Sequence, residues 1–143
     1  MPVRVDVYLL PTSDRDPVLR WVCRLIEKAF KEGYRIFVRL PGGEWLDRLD
    51  ELLWTFRPGS FIPHSRVENR QAEPEWLRVW LGREPPEEAD LLINLAEGVP
   101  KGWKRFGRIA EVVDGARREE GRQKYRCYRK EGAELHLHRL GRL

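Results

Sequence analysis

The 143 residues carry 27 Lys and Arg against 23 Asp and Glu, with 41% hydrophobic and 35% charged side chains, a balance that excludes a disordered chain and allows one real core under a very polar surface. No apolar run approaches the roughly 20 residues of a membrane span, and no leader is expected ahead of Val3. Charge is unevenly spread: residues 101–130 hold eleven Lys and Arg against four acids, net +7, leaving −3 elsewhere, which points to an anionic partner such as nucleic acid, a phosphate ligand or an acidic peptide.

In chain order, Val3-Arg4-Val5-Asp6-Val7-Tyr8-Leu9-Leu10 alternates and then turns apolar, as a strand entering a sheet does. Pro11 to Asp16 is a polar turn. Asp16-Pro17 reads as an N-cap followed by Pro at the first helical position. Val18, Trp21, Val22, Leu25, Ile26, Ala29 and Phe30 give the next helix its buried face, and Gly33 its stop. Tyr34 to Leu40 is a second strand, and Pro41-Gly42-Gly43 leads into a second helix. There Trp45, Leu46, Leu49, Leu52, Leu53 and Phe56 form one stripe. At about 100° per residue Trp54 points roughly 140° from its middle, and so outward. Beside the Pro58-Gly59 turn and Phe61, such a Trp reads as a docking surface. Asp47, Asp50 and Glu51 read as solvated.

Strand, helix, strand, helix argues for a parallel sheet. Ser65 to Pro74 reads as a loop, Trp76 to Leu81 as a short strand, and Leu91 to Leu95 as a central strand buried on both faces. Lys101 to Phe106 allows one helical turn. Arg108 to Val113 is a strand, Asp114 is placed to cap a last helix from about Gly115 to Lys130, and Glu134 to His138 alternates as an edge strand. One domain, residues 1–143, is expected. On the last helix Arg118, Arg122, Tyr125, Arg126 and Arg129 fall within an arc of about 100°. Like charges one turn apart repel unless an anion lies between them, and guanidinium groups bind carboxylates bidentately.

Catalytic chemistry is missing from the pattern. Neither a G-x-x-x-x-G-K-[ST] loop nor a G-x-G-x-x-G after a strand occurs, and Gly98 to Trp103 has the wrong spacing. His64 has no nucleophile motif near it, and His136 with His138 lacks a third metal ligand. Cys23 and Cys127 sit in no metal or redox spacing and are read as small, at least half-buried side chains of a protein from a reducing compartment. No catalytic residue, metal or cofactor is expected.

Leu49-Asp50-Glu51-Leu52-Leu53-Trp54, then Pro58, then Ser60-Phe61-Ile62-Pro63-His64, resembles the chi subunit of bacterial DNA polymerase III. So do Val7-Tyr8-Leu9-Leu10, Glu111-Val112-Val113-Asp114 and Tyr125-Arg126-x-Tyr128-Arg129 with Gly132. The likeness spans nearly the whole chain in order, with altered loops between Ser65 and Glu75 and after Asp114. It implies a single three-layer α/β/α domain, Rossmann-like, around a mixed, largely parallel sheet without a phosphate-binding loop. It also implies a non-catalytic, cytoplasmic accessory protein of the clamp loader. Such a protein pairs with the psi subunit and holds the acidic C-terminal tail of single-stranded-DNA-binding protein, tethering the replicase to coated lagging-strand template. The family's tail-binding positions fall on Trp54, Arg118, Arg122, Tyr125 and Arg126, the last a Lys in the best-known relatives. Its psi surface, shared with a competing helicase, includes Phe61 with Pro63 nearby. The resemblance therefore leads us to expect Arg122 and Arg126 on the tail's carboxylates, and Trp54 with Tyr125 walling a pocket for its terminal Phe. The alternative is direct binding of single-stranded nucleic acid by the basic C-terminal third.

Overall fold

The computed structural model describes residues 2–69 and 76–143. β1 (Arg4–Leu9), α1 (Arg15–Lys31), β2 (Ile36–Arg39) and α2 (Gly43–Thr55) follow the alternation of the N-terminal half. The chain continues as β3 (Ser65–Arg66), β4 (Val79–Gly82), β5 (Leu91–Asn94), β6 (Arg108–Val113), α3 (Arg118–Lys130) and β7 (Glu134–Arg139). Short 3-10 turns occupy Val67–Asn69 and Trp103–Arg105. The sheet order is β3-β4-β2-β5-β6-β1-β7. Every pairing in it is parallel, so among the described residues the expected mixed sheet is wholly parallel. The β5 strand is central and buried throughout, which explains its unbroken apolar run.

Period-two alternation divides the core. Ile36, Val38, Leu91, Ile93, Ala110 and Val112 face α1 and α2, packing against Leu19, Val22, Ile26, Leu49 and Leu53. Val5, Val7, Phe37, Leu92, Ile109 and Val113 face the other way, against Tyr128 of α3 and Trp103. Each fully buried Leu or Ile contributes about 1.5–3 kcal/mol, so the two clusters fix the three layers.

Several boundaries move. The first helix starts at Arg15 with Asp14 at its N-cap, so Asp16 is not the cap. The Asp16 carboxylate instead accepts from Arg48 of α2 at 3.0 and 2.9 Å, tying the two helices together. The last helix starts at Arg118, three residues later than expected, because Asp114 is spent on a turn: its Oδ1 accepts from the Ala116 amide at 2.8 Å and its carbonyl from the Arg117 amide at 3.1 Å. Trp76 is exposed and precedes β4. The expected loop from Ser65 to Pro74 contains β3 and the first 3-10 turn, and its part at 70–74 lies outside the described residues. Cys127 is exposed, against expectation, whereas Cys23 is buried and burial pushes its thiol up to about 12.

Candidate functional site

Helix α3 lies over β1 and the edge strand β7. Gly121 permits the close approach, since a Cβ there would meet Val113 Cγ1 at 2.7 Å. Between α3 and these two strands runs a groove of about 370 Å³. Its floor is Val7, Leu9 and Leu137, the last 45% exposed. Arg118, Arg122, Tyr125, Arg126 and Arg129 of α3 and Arg139 of β7 supply its polar rim. Arg118 donates to the Leu10 carbonyl at 3.1 Å, and Arg122 to Glu119 at 3.0 Å on the exposed helix surface. Arg126, Arg129 and Arg139 have no ion-pair partner among the described residues, and no acid lines the groove. Unpaired guanidinium groups over an apolar floor can take an anionic chain that also carries an apolar side chain.

Under α3 lies a buried network that the sequence reading missed. Lys124 Nζ donates to Glu111 Oε1 at 2.7 Å and to the Ala96 carbonyl at 2.6 Å, and pairs with Glu120 at 3.1 Å. Glu111, fully buried, also accepts from the Tyr128 hydroxyl at 2.8 Å and from Asn94 at 3.0 Å. Burial holds its carboxyl above the ordinary carboxylate range, opposed by Lys124, Tyr128 and Asn94. Burial and the Glu111 charge drive the Tyr128 hydroxyl far up. With every Lys124 contact made to protein, the network orients α3; it offers no free group for chemistry. Its one sequence signal is an acid inside the apolar run of β6.

Trp54 is 47% exposed, as its helical phase requires. The expectation that it walls a pocket with Tyr125 is not met. The apolar stripe of α2 packs with α1 on one sheet layer, whereas Tyr125 and Tyr128 of α3 pack on the other. The two helices also favour opposite ends of the sheet: α2 touches β4, and α3 touches β1 and β7. From β4 to β1 is four strand spacings of about 4.8 Å each. Trp54 instead meets Phe61 at 5.1 Å and His64 at 4.4 Å between ring centroids. Phe61 is 67% exposed, and Pro63 is half-buried beside it. The His64 ring lies against the Asp50 carboxylate at 2.6 Å and the Ile62 carbonyl at 2.8 Å, and Asp50 also binds Arg66. Asp50 is therefore a brace for the 57–64 turn rather than a solvated acid. The net +7 stretch does not form one patch either, since Lys124 is buried and Arg108 pairs with Asp6 on the α1 side.

Comparisons with known proteins agree with this architecture. T4 UvsW in its crystal structure superposes with a TM-score of 0.65 at 8% identity, over 96% of this chain and 41% of that chain's length, which shows shared fold alone. The DNA polymerase III subunit chi of Pseudomonas aeruginosa is 39% identical over 142 residues, 98% of this chain and 99% of the relative. The subunit chi of Haemophilus influenzae is 26% identical over 99% of this chain and 100% of its own length, and that of Escherichia coli 25% identical over 80% of each. The family described as DNA polymerase III chi subunit, HolC, matches residues 2–136. By that match and the near full-length identity to the Pseudomonas protein, the chain belongs to the DNA polymerase III chi subunit family.

Proposed function

We propose that this chain is a non-catalytic accessory subunit of the replicase, acting in the cytoplasm as one domain that joins two protein partners. The α3 groove holds the acidic C-terminal tail of single-stranded-DNA-binding protein. Arg122 and Arg126 meet its carboxylates, Arg118 braces the helix start, and Tyr125 with the Val7, Leu9 and Leu137 floor receives its terminal apolar side chain. The Trp54–Phe61 surface, with Pro63 beneath it, is the docking point for psi or a competing helicase. The observation that carries the reading is the set of unpaired guanidinium groups around an apolar-floored groove free of acids. Direct nucleic-acid binding fits less well, because the basic segment is divided between layers and partly buried.

The test is a titration of the protein with a synthetic Asp-rich peptide ending in Phe with a free C-terminal carboxylate. Binding that weakens with added salt is expected. The Arg126→Ala variant should bind about 1–3 kcal/mol more weakly, the range for a lost charge-assisted hydrogen bond. Wild-type affinity in that variant, or no peptide binding alongside tight binding of naked single-stranded DNA, would overturn the reading.

A further inference from the structure

We infer that the acidic peptide is captured as an added strand on the outer edge of β7, not only by the side chains of α3. This rests on the reading that the groove takes such a peptide, and it concerns how the chain is held.

β7 ends the sheet, and among the described residues no strand pairs with its outer side. The amide of Glu134 donates to the Val3 carbonyl at 2.9 Å, and that of Leu140 to the Leu9 carbonyl at 3.0 Å. Backbone groups of successive strand residues point to alternate sides, and a residue's N–H and C=O point the same way. Residues 134, 136, 138 and 140 thus spend their amides on β1, while Leu135, Leu137 and Arg139 present theirs outward. Side-chain alternation places those same three residues on the α3 layer. Leu135 packs into that core, and Leu137 and Arg139 line the groove. His136 and His138 face the other layer, where His138 stacks on Tyr8.

The free hydrogen-bonding edge and the guanidinium-rimmed groove are therefore one continuous surface. An extended peptide about 4.8 Å outside β7 satisfies the open backbone groups. Every second side chain of that peptide then turns toward Leu137, Arg139, Arg126 and Arg129. Charge complementarity selects an acidic occupant, because no acid of this chain lines the groove. Arg139 joins the site as a specificity residue from a second element.

Amide hydrogen exchange of the full chain, with and without the same Asp-rich peptide ending in Phe, tests this. The Leu137 and Arg139 amides should exchange at least about tenfold more slowly at saturation. A peptide that binds while both amides exchange as before would overturn the added strand and leave the groove reading intact. No binding at all sinks both. Protection without peptide that grows with protein concentration would assign the edge to a second copy, and so overturn the proposal. A variant pair supplies a second readout. Leu137→Ala removes the side chain but keeps the outward N–H, whereas Leu137→Pro removes the N–H at an edge position that tolerates proline. Peptide binding should be about 3- to 10-fold weaker in the proline variant than in the alanine variant; equal affinities would count against the strand.

Discussion

Lys124 occupies a helix position where the surrounding charges read as solvent-facing, yet only 5% of its side chain is exposed. Replacing it with Met keeps most of the stem's packing and leaves Glu111 buried with only the Tyr128 and Asn94 hydrogen bonds. An uncompensated buried carboxylate costs about 3–5 kcal/mol. Glu111 already lies above its ordinary range of 4.5, and losing the ammonium raises it further. For an acid raised in the folded state, the protonated form is favoured by folding, so stability is greatest below the unfolded value and is lost as pH rises through the folded one. Lys124→Met should therefore be far less stable than wild type at about pH 8, and the gap should narrow toward about pH 5. Urea unfolding at both values checks this, and a gap independent of pH would mean that Glu111 is not what the ammonium holds.

Helix α2 and the turn after it form a unit whose order depends on a few braces. Leu46, Leu49, Leu52 and Leu53 anchor the helix, which forces Trp54 out of phase with them and into solvent. His64 and Arg66 then reach back to Asp50, so the turn bearing Phe61 closes over the helix end. This unit lies on the layer opposite α3, and the two proposed binding surfaces should be separable. Trp54→Ala is expected to weaken binding of a psi subunit while leaving affinity for the acidic peptide within about twofold, as distant sites without shared partners behave. The same peptide titration, repeated on this variant, decides it. A large loss of peptide affinity would restore Trp54 to the groove.

Across the whole molecule, Asp6 joins the last three strands. It is buried on β1 and bound by Arg4 at 3.2 Å, Arg108 of β6 at 3.0 Å and His138 of β7 at 2.9 Å. Burial alone would raise its carboxyl, but hydrogen bonds from Arg4 and His138 and the Arg108 charge outweigh it, and it lies below 3.8. An acid lowered in the folded state stabilises above its unfolded value, and that stability is lost as pH falls through the folded one. Asp6→Asn should cost about 1–3 kcal/mol near neutrality, moderated because both arginines are partly exposed. The gap between wild type and variant should begin to close only as pH falls below 3.8 and should vanish once Asp6 is protonated in the folded state. Unfolding midpoints at both ends of that range measure the effect, and a deficit that persists in acid would mean that charge is not the tie.

Periodicity alone determined the four-element frame from β1 to α2, the buried centre at Leu91–Asn94, the outward turn of Trp54 and the arc of α3, because burial imposes repeats of two and 3.6 that local sequence must obey. Turn chemistry was less legible: Asp14 rather than Asp16 precedes α1, since the Asp16 carboxylate gained more from Arg48, a residue 32 positions away. Only tertiary structure decided which surfaces meet. It set Trp54 and Tyr125 on different layers, added Leu137 and Arg139 to the α3 face, and buried Lys124 against Glu111, because strand order rather than chain order makes neighbours of β1, β6 and β7.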